Sequence, residues 1–322
     1  MNVENIKFFD YKPQLTDFKK EVIDGLTKSP KSLAPKHFYD ENGSKLFEQI
    51  VNLEEYYIPS IEKSLINQNI LSINQLIGDD ATLIEPGSGS CEKAQKILAT
   101  NKSIKAYIPI EISGDFLYSA AEKVAQNFPQ VMIYPICVDY LKQFNLPEEI
   151  KNYSDNKVLF FPGSSIGNYD KSEVVNVLNK FASIAGEKSS LLIGVDMKKD
   201  KAVLERAYDD SKGITAAFNL NLISRMKGEI NNDIDVSNFY HQSIYNELEG
   251  RIEMYLISKN DYQFYIDEQL ISFQKGEKIH TENSYKYNPD EFIQLAQKAS
   301  YEIVKYWTDN KNYFSIYYFT LK

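Results

Sequence analysis

The sequence predicts an α/β protein built on a doubly wound parallel sheet, accompanied by a second α+β unit. Three observations lead there. Between residues 82 and 195, short apolar runs alternate with amphipathic stretches of helical length. The first run empties into a Gly-x-Gly turn, Glu85-Pro86-Gly87-Ser88-Gly89. After Asp196 the alternation stops, and it is replaced by a long helical stretch and a series of hairpin-like segments.

The first eighty residues read as helical. Phe18, Val22 and Leu26 recur every fourth position, and Leu46, Phe47, Ile50, Val51 and Leu53 form a second apolar stripe. Leu33 to Gly43 between them reads as a loop. The alternating region then gives strands at 82–85, 106–112, 132–138, 158–161 and 190–195, with helices at 92–99, 115–127 and 171–184. Strands apolar on both faces and separated by helices point to a parallel sheet. Residues 200–228 read as helix, and 251–274 as β-hairpins with strands 251–258, 263–266 and 269–274. Asn288, Pro289 and Glu291 have the spacing of a cap, a first helical residue and a capping-box partner. Strands at 301–307 and 313–321 close the pattern. The expected division is one domain of 80–196 and 288–322, and a second of 1–79 and 197–287.

Composition narrows the function. The 322 residues include 45 acidic and 36 basic side chains, a formal charge of −9. Gripping a phosphate backbone requires clustered Lys and Arg, so nucleic acid is excluded as an expected partner. No run approaches a membrane span and no signal-peptide pattern opens the chain, so a cytoplasmic protein without membrane contact is expected. The two cysteines, Cys91 and Cys137, are too few for a disulfide framework. Neither HExxH nor CxxC occurs, so no metal is expected. The three histidines, His37, His241 and His280, read as structural or surface residues. With 23 Tyr and 18 Phe, some tyrosine hydroxyls are available to line a polar pocket.

The glycine turn lets backbone N–H groups approach a ligand, and the helix that follows favours an anionic group. The third glycine of a dinucleotide fingerprint is missing, since Glu92 stands three positions after Gly89. Glu111 closes the next strand 24 residues after Gly87, where a carboxylate can accept from both ribose hydroxyls. Asp139 closes the third, where it can accept from an exocyclic adenine amine. The fourth strand leads into a small-residue loop, Pro162-Gly163-Ser164-Ser165-Ile166-Gly167-Asn168. Acids in register at one sheet edge favour an adenosine site.

An acid just before Gly-x-Gly, an acid closing the second strand and a terminal two-strand ribbon resemble the class I S-adenosylmethionine-dependent methyltransferases. That resemblance implies a last strand antiparallel to the rest, a glycine turn at the amino-acid end of the cofactor and a second acid on the ribose. Outside those motifs the chain resembles the histidine-specific methyltransferases of the ergothioneine pathway, from about residue 33 onward. The matching stretches include Pro35 to Ser44, Leu53 to Tyr57, Gly163 to Asn168, Ala207 to Asp210, Thr215 to Asn219, Arg251 to Met254 and Thr281 to Tyr287.

This second resemblance implies transfer of methyl groups from S-adenosylmethionine to the α-amine of free L-histidine, giving hercynine and S-adenosylhomocysteine. It implies that Tyr56, Asn168 and Tyr208 hold the carboxylate and amine, with Tyr39 near the amine; Tyr39 and Asn168 are the expected catalytic pair. Glu282 and Ser284 are expected to recognise the imidazole and Met254 to line its pocket. The expected cofactor residues are Glu85, Gly87, Gly89, Lys93, Glu111, Asp139 and Gly163. A monomer is expected. Two readings stand beside this one: another amino acid or biogenic amine as substrate, and a non-catalytic metabolite-binding relative. Pro86 departs from what the cofactor turn leads one to expect, because it removes a backbone donor there. Cys91, at a helix start, reads as a small packing residue.

Overall fold

Thr82–Pro86 is the pivot of a nine-stranded sheet. On one side it pairs with Ala106–Glu111, then Ile136–Cys137, then Phe9–Asp10; on the other with Lys157–Phe161, then Ser190–Asp196, Phe314–Leu321 and Tyr301–Thr308. The short strand Met132–Ile133 also pairs with Ala106–Glu111. Every pairing is parallel except those of Phe314–Leu321, which runs antiparallel to both its neighbours. This is the class I methyltransferase arrangement, a doubly wound sheet with one antiparallel strand near the end of the chain. The structure is a computed structural model and describes residues 4–13, 17–142, 144–151 and 153–322.

The chain divides into two units. The first comprises the described part of residues 1–14, Ser60–Met197 and Tyr287–Lys322; the second comprises the described part of Leu15–Pro59, together with Lys198–Lys286. The sequence reading assigns all of 1–79 to the second. In the structure Phe9–Asp10 adds a parallel strand to the first unit's sheet, and most of the helix Ile58–Ile77 belongs there too. Hydrophobic periodicity shows that a helix has an apolar face, but it carries no information about which sheet receives it.

The central strands Thr82–Pro86 and Ser190–Asp196 are buried along their whole length, as a parallel sheet covered on both faces requires. Their core includes Leu83, Ile84, Ile108, Leu159, Phe160, Leu192 and Phe319. The helix Lys171–Ala185 starts at a capping box made by Asp170 and Glu173, and Pro289–Lys298 at one made by Asn288 and Glu291, the latter as the spacing predicts. The strand expected at 132–138 is instead two pieces, Met132–Ile133 and Ile136–Cys137, separated by Tyr134-Pro135. Proline cannot donate to the ladder, which accounts for the break.

The second unit holds a four-stranded sheet in the order Lys31–Ser32, Lys278–Tyr285, Arg251–Ser258, Phe239–Asn246. Phe239–Asn246 and Lys278–Tyr285 escape the sequence reading because their polar, aromatic composition lacks a continuous apolar run. Arg251–Ser258 pairs with these two and not with Tyr262–Ile266, the strand that follows it. Tyr262–Ile266 and Gln269–Phe273 form a separate hairpin. The helix expected over 200–228 is two helices, Lys201–Tyr208 and Ile214–Glu229, interrupted around Gly213, whose φ is +71°.

The loop expected at Leu33–Gly43 is tightly built. Pro35–Phe38 forms a 3₁₀ turn, and Asp40 caps the helix Glu41–Ile50 by accepting from the Gly43 N–H at 2.7 Å. Asp40 also accepts from Asn221 Nδ2 at 2.7 Å. A Cβ on Gly43 would lie 1.7 Å from the Phe38 carbonyl oxygen, so no other residue fits there.

Candidate active site

The strand order reverses at Thr82–Pro86, the place where an open α/β sheet forms a ligand crevice at its carboxyl edge. Gly87 and Gly89 follow with φ of +65° and +51°, a left-handed backbone that glycine adopts without a Cβ penalty. The Gly87 and Ser88 N–H groups donate to the Ile110 carbonyl at 2.8 and 3.2 Å, pinning the turn to the next strand. Pro86 is the last residue of its strand, where a missing donor is tolerated.

Glu85 is buried and accepts a hydrogen bond from the Tyr107 hydroxyl. Burial pushes its carboxyl up to about 8, with the Tyr107 bond and the Lys93 charge acting the other way. Glu111, half-buried at its strand end, accepts from the Gly89 N–H at 3.3 Å and the Ile112 N–H at 2.8 Å. The acid read as the ribose partner is thereby tied to the glycine turn. Asp139 accepts from the Leu141 N–H at 3.1 Å, with Lys142 Nζ 4.0 Å away. Cys91 lies buried in a left-handed conformation, and burial raises its thiol to about 12, so it packs and does not react. Burial also raises the Cys137 thiol, to about 11.

A second cluster in this unit was missed by the sequence reading. The buried Glu62, on the helix Ile58–Ile77, accepts from Lys93 Nζ at 2.7 Å and from the Gly163 N–H at 2.6 Å. It ties the helix after the glycine turn to the loop after Lys157–Phe161. A Cβ on Gly194 would come within 2.2 Å of its Oε1, so the neighbouring strand is shaped around this carboxylate. A lone acid in an amphipathic helix offers no sequence signal for this role. Ser164, also left-handed, accepts from the Asp196 N–H at 2.8 Å. Asn168 ends the 3₁₀ turn Ser165–Asn168 with its side chain exposed.

The second unit gathers most of the remaining expected residues on one face of its sheet. Met254 lies opposite Glu282, and Ile252 opposite Ser284, so these four share a face. The register then slips at Met254/Tyr255, leaving Thr281 as the extra residue with its hydroxyl donating to the Met254 carbonyl at 3.1 Å. Tyr208, at the end of Lys201–Tyr208, places its hydroxyl 2.8 Å from Ser284 Oγ, and the Tyr56 ring meets the Tyr208 ring edge-on at 5.9 Å. Lys286, fully buried, donates to both Tyr208 Oη and Ser284 Oγ at 2.9 Å. Glu282 is half-buried, and burial raises its carboxyl to about 7 against the pull of Lys286. Met254 is buried. Tyr39 is 48% exposed, its ring against Phe47 and Phe218 at 5.6 and 5.7 Å.

Lys286, just past the end of the strand Lys278–Tyr285, was also missed, although it continues the alternation of Glu282 and Ser284. The histidines have structural partners, as expected. His241 Nε2 donates to the Tyr208 carbonyl at 2.9 Å, and its Nδ1 receives Asn219 Nδ2 at 2.8 Å, which defines the neutral tautomer. Burial holds its pKa below the usual histidine value. His37 pairs with Glu21 at 2.6 Å and His280 with Asn283 at 2.7 Å. Among the described residues there is no group of three or more His, Cys, Asp or Glu side chains that could hold a metal ion, and no helix is long and apolar enough to cross a membrane.

The donor set fits S-adenosylmethionine. The glycine turn lets the backbone come close to a ligand, Glu111 stands at one strand end and Asp139 just past the next, and the acidic edge suits a sulfonium. Fold and edge together define an S-adenosylmethionine-dependent methyltransferase. Residues 18–321 match the family model described as "Histidine-specific methyltransferase, SAM-dependent". The chain is 33% identical to a histidine N-alpha-methyltransferase of Mycolicibacterium smegmatis over 90% of its own length and 91% of that protein's. It is 32% identical to the enzyme of the same name in Mycobacterium tuberculosis, over 92% of this chain and 93% of that one. Ergothioneine biosynthesis protein 1 of Schizosaccharomyces pombe is 26% identical over 88% of this chain and 38% of its own length. The chain belongs to the histidine-specific methyltransferases.

Proposed function

We propose that this enzyme transfers methyl groups from S-adenosylmethionine to the α-amine of L-histidine, giving Nα,Nα,Nα-trimethylhistidine. The observation that carries the reading is the face that joins a raised carboxyl, Glu282, to the Tyr208–Ser284–Lys286 hydroxyl cluster. A carboxylate accepts from a ring N–H, and a hydroxyl serves the other ring nitrogen. Met254 beside them gives the ring an apolar wall.

S-adenosylmethionine, when bound, supplies an electrophilic methyl group on sulfur. The protein's residues supply position and proton management. Tyr56 and Tyr208 are the proposed holders of the carboxylate, using uncharged donors that leave the neighbouring amine free to lose its proton. Tyr39 and Asn168 are the proposed partners of that amine. Glu85, Gly87, Gly89, Lys93 and Gly163 are assigned to the amino-acid end of the cofactor, Glu111 to the ribose and Asp139 to the adenine. In this reading Ser60–Met197 and Tyr287–Lys322 belong to the cofactor-binding unit, and Lys198–Lys286 to the substrate unit. We read the enzyme as a cytoplasmic monomer that engages neither nucleic acid nor membrane, which its net negative charge and its two buried free thiols support.

The deciding experiment incubates the protein with S-adenosylmethionine and each free amino acid, and reads products by mass. Histidine gaining methyl groups is the expected result. Methylation of a different amino acid or of histamine in preference to histidine would overturn it.

A further inference from the structure

The segment around Phe9–Asp10 is stitched to the strand pieces that lead to Asp139. The Asn5 carbonyl accepts from the Ile133 N–H at 2.8 Å, and the Lys7, Phe9 and Tyr11 N–H groups donate to the Ile133, Pro135 and Cys137 carbonyls at 3.0, 2.9 and 3.0 Å. Asn5 Nδ2 anchors the start of the segment on the carbonyls of Ala125, Phe128 and Val131, at 3.2, 3.0 and 2.7 Å. The ladder stops at Cys137, two residues short of Asp139. Tyr11, its last rung, also reaches past that acid. Its ring meets Phe144 edge-on at 6.1 Å, and its hydroxyl donates to the Asn145 carbonyl at 3.2 Å. One residue thus holds the chain on both sides of the turn that carries Asp139. Inside the turn, the Asp139 side chain accepts from the Leu141 N–H and its carbonyl from the Lys142 N–H, at 3.1 and 3.0 Å. Those local bonds set the shape of the turn. Its place is set by Val138, whose N–H donates to the Glu111 carbonyl at 3.0 Å, and by the grip of Tyr11.

We infer that Tyr11 is a positioning residue for purine recognition, clasping the Asp139 turn so that its carboxylate is held where the exocyclic amine of the cofactor arrives. The inference deepens the cofactor assignment above and rests on it. Tyr11 touches no ligand in this scheme; it acts through the turn. A carboxylate on a turn clasped at both ends cannot withdraw from a purine that lacks the amine, and stays there unpaired. On a loose turn the same carboxylate swings into water, and the site loses its preference. Tyr11 is 46% exposed, so its truncation should leave the fold intact.

The test is calorimetry on the full chain with S-adenosylhomocysteine and with its 6-deamino analogue, in which hydrogen replaces the purine amine. The wild type should bind S-adenosylhomocysteine roughly tenfold more tightly or better, the value of one hydrogen bond to a charged group. In Tyr11→Ala that ratio should fall to within about threefold, through weaker binding of S-adenosylhomocysteine, while affinity for the analogue stays within about twofold of wild type. Tyr11→Phe keeps the ring and loses the hydroxyl, so its ratio should lie between; it decides the matter if the alanine variant does not fold. A Tyr11→Ala protein that keeps the wild-type ratio overturns the inference, whether both affinities hold or both fall in proportion, because a merely structural tyrosine acts on the two ligands alike. Asp139→Ala is the separate arm that tests the adenine assignment itself. It should abolish the ratio; a ratio that survives Asp139→Ala, or one absent from the wild type, refutes that assignment and the inference with it.

Discussion

The carboxylate of Glu62 accepts the Gly163 N–H at 2.6 Å while its other oxygen takes Lys93 Nζ at 2.7 Å. One acid on a helix thus sets both the loop after the fourth core strand and the lysine after the glycine turn. Replacing Glu62 by Ala strands a buried backbone donor and leaves Lys93 without this partner. The expected cost is about 2 kcal/mol in unfolding free energy, with S-adenosylmethionine binding weakened roughly tenfold. Denaturation and cofactor calorimetry check it. Unchanged cofactor affinity in a destabilised variant would confine Glu62 to folding.

Glu85 predicts a pH dependence. Its folded carboxyl titrates near 8, above the ordinary 4.5, so between those values the folded state holds more protons than the unfolded chain. Stability must therefore fall as pH rises from about 4.5 to 8, and Glu282, raised to about 7, adds in the same direction. Glu85→Gln should flatten the slope by on the order of a few kcal/mol across that window. Melting curves of both proteins, measured from pH 5 to pH 8 without added cofactor, decide it; parallel curves would refute it.

The two carboxylates at opposite tasks should separate in kinetics. Glu282→Gln should raise KM for histidine more than tenfold and leave that for S-adenosylmethionine nearly unchanged, since it removes a charge-assisted bond to one ligand only. Glu111→Ala should do the reverse. Because Glu282 must be ionised to accept, wild-type KM for histidine should also climb as pH drops through about 7. Equal effects of both substitutions on both ligands would refute the assignment.

Gly43→Ala tests the stretch that first suggested the family. The added methyl meets the Phe38 carbonyl oxygen at 1.7 Å, a clash that only backbone movement relieves. Loss of several kcal/mol, or failure to fold, is expected. Asp40→Ala should cost about 1 kcal/mol as a lost helix cap. A Gly43→Ala protein with unchanged melting temperature would contradict this packing.

How much of this was legible follows from what each signal encodes. The parallel sheet announces itself because strands buried on both faces have nowhere to put polar residues, as in Thr82–Pro86 and Ser190–Asp196. Glu111 and Asp139 could be placed because spacing alone puts a residue at a strand end. Phe239–Asn246 and Lys278–Tyr285 stayed hidden because polar side chains interrupt them and erase the apolar pattern. Glu62 and Lys286 were invisible for a related reason. Their significance lies in partners far away along the chain, Gly163 for the one and Tyr208 for the other.

The antiparallel strand Phe314–Leu321 fits between Ser190–Asp196 and Tyr301–Thr308. During synthesis the edge of Ser190–Asp196 therefore waits, with its hydrogen-bonding groups unclaimed, while the ribosome makes all of Lys198–Lys286. A long apolar edge left open for that interval can recruit a neighbouring nascent chain, so production of this enzyme should reward chaperone supply more than its finished stability would suggest.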